Sequence, residues 1–411
     1  MHVLRTTCRS CDSSDLEVVL AHGAVPLADR LLTAQQLAAG NEAVFPLTAV
    51  FCHRCSLMQL LETVSPSTIY DDSYRYYSSN SDSVLEHARE HAEALIESRA
   101  LDSESLVIEL ASNDGYMLRN FRDHGVPVLG IDPAPGPAQA ARRAGIPTLP
   151  VFFTRDLARQ LRDEGRQADV IVANNIFALV PDIHGFTAGM RMLLKDGGVI
   201  AIETPYVRDL IDNCEFDTIY HEHLNYYSVT ALDKLFRSEE LYLNDIQYFP
   251  NLHGGTIRAW VGKEENVTDT VREYLDEEVR CGLTSFAYYA DFGRRARMVK
   301  DKLQALLSDL KADGARIAGY GAAAKGSTMV NYTGVGGQYL DYVVDRNVHK
   351  QGRYMPGVHL PVLSQERLAE DVPDYVLLLA WNFREEVLQQ QETYRAKGGK
   401  FIVPIPTPAV I

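Results

Sequence analysis

The stretch SLVIELASNDGYML, residues 105–118, decides the fold of the central part of the chain. It begins as a short apolar run ending in an acid, Glu109, passes through small turn-forming residues, and regains helical spacing from Tyr116. This order predicts a strand, a tight turn and a helix. A second apolar run, VPVLGID, ends at Asp132, where a doubly wound sheet carries the carboxylate that binds ribose hydroxyls. The pattern predicts a site for an adenosine-bearing ligand.

The turn after the first strand carries a single glycine, Gly115, whereas a pyrophosphate clamp for a dinucleotide uses several. S-adenosylmethionine has no phosphate to hold at the helix N-terminus, so the pattern favours that ligand. The residues expected to contact it lie at the strand ends and in the turns beyond them: Glu109, Ala111, Asn113, Asp114, Gly115, Asp132, Asn174 and Asn175. A strand–turn–helix unit that binds no ligand is the alternative.

Length and composition limit the class of protein. The chain has 411 residues, which suggests two or three domains, and its 46% hydrophobic and 23% charged residues are ordinary for a soluble protein. A net charge of -15 argues against nucleic acid or an anionic membrane surface as a partner. The sequence contains neither a signal-peptide pattern nor a run long enough to span a membrane. We therefore expect a cytoplasmic protein, which we predict to be a monomer.

Four of the six cysteines form two C-x-x-C pairs near the N-terminus, in TCRSCDS and FCHRCSL. They are Cys8, Cys11, Cys52 and Cys55. Two such pairs suit a tetrahedral zinc ion held by four thiolates, and a closed site of this kind is structural because it has no open ligand position. Two disulfides, which a reducing compartment disfavours, and coincidence are the alternatives.

The order of apolar runs predicts an α/β protein with three domains: a small zinc-binding domain (1–75), a Rossmann-like central domain (76–265), and connector helices with a second Rossmann-like domain (266–411). The runs 241–249 and 254–262 flank a short polar turn and are predicted to form an antiparallel hairpin at the edge of the central sheet. Parallel strands closed by such a hairpin are the architecture of class I methyltransferases. A tyrosine-rich segment, 69–84, follows the zinc domain and is predicted either to line a pocket or to pack two domains together.

The segment EFDTIYHEHLNYYS, residues 215–228, carries the densest group of ionisable side chains. Tyr220, His221, Glu222 and His223 supply a base, an acid and a hydrogen-bond donor, which proton abstraction beside a carbonyl requires. Metal binding by the two histidines and a purely structural role are the alternatives.

Six motifs, in order, resemble those of the C-methyltransferases of deoxysugar biosynthesis, and the resemblance covers nearly the whole chain. They are the two cysteine pairs, NDG, ANNIFALVPD, EFDTIYHEHLNYYS, HGGTIRAWV and GYGAAAKG. The resemblance implies an enzyme of antibiotic biosynthesis that binds S-adenosylmethionine and methylates carbon 3 of a thymidine-diphosphate-linked (TDP-linked) 4-keto-deoxysugar. It implies that His223 is the base, that Tyr220 and Glu222 position it or the sugar, and that Tyr76 lies near the methyl donor.

The C-terminal third contains a second strand–turn–helix unit, RIAGYGAAAKG, followed by further strands. A phosphate at this helix N-terminus, with Lys325 adding charge, is one interpretation, and a glycine turn kept for close packing is the other. The resemblance assigns this domain to the nucleotide-sugar. Lys350, Arg353 and Tyr354 are predicted to bind the diphosphate.

The chain departs from the family pattern at two positions. Leu179 stands where the family usually has a histidine that serves the sugar's oxygen at carbon 4, and Ala111 stands where the family tends to have glycine. Leucine cannot exchange a proton, so an NADPH-dependent ketoreductase, alone or combined with methyl transfer, is an alternative function. A non-catalytic scaffold that binds a nucleotide is a second alternative.

Overall fold

The computed structural model describes residues 2–71, 74, 76–252 and 254–411. Asp72, Ser73 and Arg75 of the tyrosine-rich segment and His253 of the HGGTIRAWV motif therefore lie outside the described residues. The described part of the chain forms four β-sheets.

The N-terminal part is built mainly from strands. Its elements are β1 (His2–Leu4), β2 (Leu16–Pro26), α1 (Ala34–Ala39), β3 (Val44–Cys52), β4 (Met58–Leu60), β5 (Glu62–Val64) and α2 (Pro66–Ile69). Strands β1 and β5 pair with each other, and β2, β3 and β4 form an antiparallel meander.

The central part alternates strands and helices. Its elements are α3 (Asp82–Arg99), β6 (Val107–Leu110), α4 (Leu118–Asp123), β7 (Val128–Ile131), α5 (Pro135–Arg143), β8 (Thr148–Leu149), α6 (Arg155–Asp163), β9 (Ala168–Asn174), α7 (Ile183–Leu193), β10 (Leu194–Pro205), α8 (Val207–Asp212), β11 (Asn225–Tyr226), α9 (Val229–Ser238), β12 (Tyr242–Phe249) and β13 (Thr256–Gly262). Single-turn 3₁₀ helices occupy 78–80, 177–179 and 216–218.

The central sheet has the strand order β12-β13-β10-β9-β6-β7-β8. Strands β6 to β10 are parallel, and β13 is antiparallel to its two neighbours β10 and β12. Strands β6 and β9 are buried on both faces, as the parallel strands of a doubly wound sheet are, because helices cover both sides. This is the class I methyltransferase fold, and the predicted hairpin lies at the sheet edge as expected.

Strand β11 belongs to a different sheet from its sequence neighbours. Asn225 and Tyr226 pair with Gln59 and Met58 of β4, so the N-terminal sheet has the order β11-β4-β3-β2. The segment that follows His223 is therefore hydrogen-bonded to the cysteine-bearing module.

The C-terminal part contains α10 (Asp269–Cys281), α11 (Phe292–Ala312), β14 (Ile317–Tyr320), α12 (Ala324–Thr333), β15 (Val343–Val344), β16 (Val362–Leu363), α13 (Arg367–Asp371), β17 (Tyr375–Leu378), α14 (Arg384–Gln390), α15 (Glu392–Ala396), β18 (Lys400–Val403) and β19 (Ala409–Val410). The sheet order β16-β15-β14-β17-β18-β19, parallel apart from β19, is that of a Rossmann fold. The predicted connector helices are α10 and α11, and the first ends at Gly282, whose φ of +87° closes it as a left-handed cap.

One large apolar core runs through all three parts of the chain. It includes Phe51 of the N-terminal sheet, Ile171 of the central sheet and Met329 of the C-terminal sheet's first helix. Among the described residues, no helix is both long and apolar enough to cross a membrane.

Candidate active site and zinc site

The four N-terminal cysteines converge on one point. Their sulfur atoms all lie within 4.8 Å of one another, and Sγ–Sγ distances of 3.5 Å join Cys8 to Cys55 and Cys11 to Cys52. A tetrahedral zinc ion with Zn–S bonds of about 2.3 Å holds its sulfurs about 3.8 Å apart. The arrangement fits zinc, and Cys8, Cys52 and Cys55 are buried while Cys11 is partly buried.

Two N–H groups point at one of these sulfurs. The Gln59 side-chain amide donates to Cys8 Sγ over 3.0 Å, and the Ser10 backbone N–H donates over 3.4 Å. Gln59 is itself held because its Oε1 accepts from the Arg9 backbone N–H at 2.8 Å. Such donors stabilise thiolate ligands and fix their orientation, so the surroundings also suit a structural zinc ion.

A cavity of about 490 Å³, here called the strand-end cavity, lies at the carboxyl ends of the central parallel strands. This is where doubly wound sheets bind their ligands. Six predicted site residues line it: Tyr76, Ala111, Asn113, Asp132, Asn174 and Asn175. Leu179, at the position that departs from the family pattern, also lines it. Its volume is within the usual range for a small-molecule site.

Asp132 organises the wall of this cavity. Its carboxylate accepts from the backbone N–H groups of Asn113 and Ala134, each over 2.8 Å. Burial raises the pKa of Asp132 to about 6, although the two N–H donors act in the opposite direction. Asp132 is only 4% exposed but borders the cavity, so it can also accept from a ligand's hydroxyl groups.

The turns that form the cavity wall have an uncommon backbone conformation. Ala111, Asn113 and Asn175 have φ angles of +57°, +49° and +55°. L-residues other than glycine, asparagine and aspartate rarely adopt this region, so Ala111 is held by its surroundings at a position that glycine would occupy without strain. Asn174 Oδ1 is buried and has no hydrogen-bond partner among the described residues, which leaves it available to a ligand.

Three predicted contact residues, Glu109, Asp114 and Gly115, do not line the cavity. Glu109 is buried in the sheet, where desolvation raises the pKa of its carboxyl well above the usual range. Asp114 accepts from the backbone N–H and the hydroxyl of Ser79, and so ties the segment before α3 to the turn. A Cβ at Gly115 would lie 2.8 Å from Ile146 Cγ1, and its φ is +78°. Their contact with a ligand stays a prediction.

Tyr220 and His223 form a hydrogen-bonded pair. The distance from Tyr220 Oη to His223 Nε2 is 2.8 Å, and the ring centroids are 4.1 Å apart. Burial, with Asp29 and Glu222 nearby, raises the pKa of Tyr220 well above its usual range, so the phenol keeps its proton at neutral pH.

Glu222, in the segment 215–228, carries a buried carboxyl group. Burial and the neighbouring Asp29 raise its pKa to about 8, and its Oε2 has no hydrogen-bond partner in the part of the chain that the structure describes. Asp29 is a residue that the sequence did not single out. Its Oδ1 lies 3.9 Å from Lys350 Nζ, which donates to the Ala322 carbonyl over 2.7 Å.

Described residues of the tyrosine-rich segment line the strand-end cavity. Tyr70, Tyr74 and Tyr76 line the cavity, whereas Tyr220, Glu222 and His223 do not. Burial raises the pKa of Tyr70 well above its usual range, and the nearby carboxyl groups of Glu222 and Asp132 add to the shift.

The predicted phosphate-binding residues lie in two places. Lys325 Nζ is 3.6 Å from Glu215 Oε2 and 4.7 Å from the Trp381 ring centre. The Trp381 indole N–H donates to Asp217 over 2.6 Å. This helix N-terminus therefore faces carboxylates of the chain itself, and burial raises the pKa of Glu215 to about 7 and that of Asp217 to about 6.

Lys350, Arg353 and Tyr354 lie instead where the C-terminal part meets the N-terminal part. The backbone N–H and carbonyl of Tyr354 both bond to Leu32 over 2.9 Å, and the Arg353 N–H donates to the Lys350 carbonyl over 3.3 Å. Lys350 is thus the predicted phosphate ligand whose ammonium group lies nearest the Asp29–Glu222 pair.

Comparison with known proteins gives three family matches. Residues 8–70 match a zinc binding domain, residues 84–243 a methyltransferase domain, and residues 251–406 a C-methyltransferase C-terminal domain. Solved structures match at low identity. A S-adenosylmethionine-dependent methyltransferase from Clostridium acetobutylicum matches with 13% identity and a TM-score of 0.36, over 43% of this chain and 91% of that chain. Magnesium protoporphyrin IX methyltransferase from Synechocystis matches with 12% identity and a TM-score of 0.35, over 44% of this chain and 83% of that chain.

The chain is also 37% identical to the C-methyltransferase NovU of Streptomyces niveus, over 407 residues that make up 98% of this chain and 96% of that protein. The match runs through the cysteine module, the central sheet and the C-terminal sheet alike. With its four-cysteine cluster and its class I methyltransferase sheet, the chain belongs to the family of S-adenosylmethionine-dependent C-methyltransferases that includes NovU.

Proposed function

We propose that the protein transfers the methyl group of S-adenosylmethionine to carbon 3 of a TDP-linked 4-keto-deoxysugar. The observation that carries the proposal is the hydrogen bond of 2.8 Å between Tyr220 and His223, in the segment 215–228. A structural or merely binding segment gains little from a histidine bonded to a buried phenol. A carbon acid needs both a base and a donor for the developing oxyanion.

In this proposal His223 removes the proton from carbon 3. In the tautomer that carries its hydrogen on Nε2, His223 donates this N–H to the Tyr220 phenol oxygen. The lone pair that accepts the carbon-3 proton then lies on Nδ1. The phenol O–H of Tyr220 can donate to the ketone oxygen. Glu222, with a pKa of about 8, holds its proton at neutral pH and can donate to a sugar oxygen.

When bound, S-adenosylmethionine supplies an electrophilic methyl group. The enolate carbon would accept this methyl group, which would leave S-adenosylhomocysteine, and His223 would pass the carbon-3 proton to water. The strand-end cavity would contribute alignment, with Asp132 bonding the ribose and the unpartnered Asn174 Oδ1 as a second polar contact.

We assign the sugar diphosphate to the C-terminal side of the cluster, with Lys350 nearest and with Arg353 and Tyr354 beside it. Lys325 lies in a separate place, beside Glu215. Lys350 supports this because its ammonium group is buried beside Asp29 and is already oriented by the Ala322 carbonyl. A doubly charged phosphate would compete with Asp29 for this cation.

The reductase alternative gains no support from the second Rossmann-like sheet. A Cβ at Gly321, which has a φ of +102°, would lie 2.6 Å from Ala380 Cβ, so close packing against the loop after β17 accounts for this glycine. Trp381 of that loop covers Lys325 beside the turn, where a nicotinamide dinucleotide would need room for its pyrophosphate.

The test is solvent exchange at carbon 3. The wild-type protein in D₂O, with a TDP-4-keto-deoxysugar and S-adenosylhomocysteine, should replace the carbon-3 hydrogen by deuterium, and mass spectrometry measures this. His223→Asn should reduce exchange by about a hundredfold or more, the usual contribution of a general base. His124→Asn, at an exposed histidine, is the matched control. Undiminished exchange in His223→Asn would refute the role of His223.

A further inference from the structure

A small cavity lies beside Tyr220, where residues from all three parts of the chain meet. Its volume is about 10 Å³, which is the space needed by a single water molecule. Its lining includes His22 from β2, Tyr220 and His221 from the segment 215–228, and Ser327 from α12.

The two cavity-lining histidines bond to the backbone through the same ring nitrogen. His22 Nε2 lies 3.3 Å from the Phe216 carbonyl oxygen, and His221 Nε2 lies 3.1 Å from the Pro46 carbonyl oxygen. A carbonyl oxygen can only accept, so both Nε2 atoms carry hydrogen and both neutral rings have their lone pair on Nδ1. Burial favours the neutral form, since it lowers the pKa of His22 to about 4 and lowers that of His221 as well.

Three buried polar atoms around the cavity lack a partner within the described chain: His22 Nδ1, His221 Nδ1 and Ser327 Oγ. Leaving such atoms unsatisfied is costly, and native proteins rarely do so. Two of the atoms can only accept and the third has a rotatable O–H. One water molecule matches this set, because it has two hydrogens to donate and can accept one.

We propose that this cavity is a binding site for one buried water molecule, which donates to His22 Nδ1 and His221 Nδ1 and accepts from the Ser327 hydroxyl. The water joins the cysteine-bearing module, the cluster segment and the C-terminal sheet by one hydrogen bond each. It also lies against Tyr220, so it fixes the back wall of the pair that faces the sugar in the proposed function. The site does not depend on which substrate the enzyme methylates.

His221 is one of the two histidines that the sequence offered as metal ligands. The cavity gives it a different partner set: two imidazole nitrogens and a serine hydroxyl provide fewer nitrogen, sulfur or carboxylate ligands than the three or four of protein zinc sites. In the part of the chain that the structure describes, the group of three or more metal-type ligands is the four-cysteine cluster.

A crystal structure of the full chain at high resolution tests the proposal. We expect one density peak in the cavity, about 2.7 to 3.2 Å from both Nδ1 atoms and from Ser327 Oγ. Contacts near 2.1 Å, as for a metal, or a cavity without density would overturn it.

A pair of substitutions at His22 separates the two ring nitrogens. A glutamine amide reaches the Nε2 position and an asparagine oxygen reaches the Nδ1 position. His22→Gln keeps the bond to the Phe216 carbonyl but should lose the water, whereas His22→Asn should lose that bond and keep the water. Retention of the water in His22→Gln with loss in His22→Asn would contradict the assigned partners, even if both variants are less stable.

Discussion

Replacing Asp132 by asparagine tests the strand-end cavity with little change of shape. The carboxylate accepts from two backbone N–H groups over 2.8 Å each, but an amide has one oxygen, so one N–H must face an NH₂ group. Asp132 is 4% exposed, so water cannot easily replace the lost acceptor. Losing a hydrogen bond to a charged acceptor costs about 2 kcal/mol. If that cost is borne by the ligand-bound turn, it weakens S-adenosylmethionine binding roughly thirtyfold.

The C-terminal sheet provides the matched control. Asp345 accepts from the backbone N–H groups of Ala322 and Asn347, again over 2.8 Å each, in the equivalent turn of the second sheet. Asp345→Asn also loses one hydrogen bond to a charged acceptor, so it should reduce thermal stability about as much as Asp132→Asn does. It should leave the affinity for S-adenosylmethionine unchanged. Isothermal titration calorimetry measures the affinity and differential scanning fluorimetry the stability. Unchanged donor affinity in Asp132→Asn, or equal loss in both variants, would refute the assignment of the cavity.

Acidification tests the same carboxyl group. Because the pKa of Asp132 is about 6, S-adenosylmethionine affinity should fall as the pH drops through 6, and this dependence should vanish in Asp132→Asn. The contribution of Asp132 to the stability of the fold changes with pH in the opposite direction. The native state holds this proton more tightly than the unfolded chain, so the group's contribution is greatest at low pH and is lost as the pH rises through 6.

Three further predictions follow from the other sites. Burial raises the pKa of Glu222 to about 8, so the wild type loses stability as the pH rises from about 4.5 to 8, and Glu222→Gln should not. The melting temperature of Glu222→Gln minus that of the wild type should therefore be larger at pH 8 than at pH 5, and an equal difference at both would contradict this. Cys52→Ser should lose zinc, measured by mass spectrometry of the metal, together with thermal stability, while the partly buried Cys281→Ser should keep its zinc. Tyr220→Phe should lower kcat by roughly a hundredfold without changing donor affinity, and a smaller effect on kcat than on sugar KM would remove Tyr220 from the chemistry.

Local sequence patterns predicted the elements that depend on near neighbours. The strand–turn–helix at 105–121, the edge hairpin and the converging cysteines follow from hydrophobic spacing and from motifs a few residues long. The two-residue strands β11, β16 and β19 were not predicted, because their pairing is decided by distant partners and not by their own pattern.

The candidate site, too, was predicted only where its residues follow from the local sequence. Asp132 was identified from its place at the end of a strand, and the structure brings it to the cavity. Asp29 was missed because nothing in its surrounding sequence distinguishes it from a surface acid, and its role comes from folding against Lys350 and Glu222. The approach of Lys325 to Glu215 was equally unpredictable, since 110 residues separate them in the chain.

The pairing of β11 with β4 limits how this enzyme can be taken apart. Gln59 pairs with Asn225, two residues after His223, and its side chain also donates to Cys8 Sγ. A chimaera that exchanges only residues 1–70 between relatives would therefore cut through the sheet that positions the proposed base. Residues 215–228 and the cysteine module need to be exchanged together, so for protein engineering they form one unit despite lying about 150 residues apart.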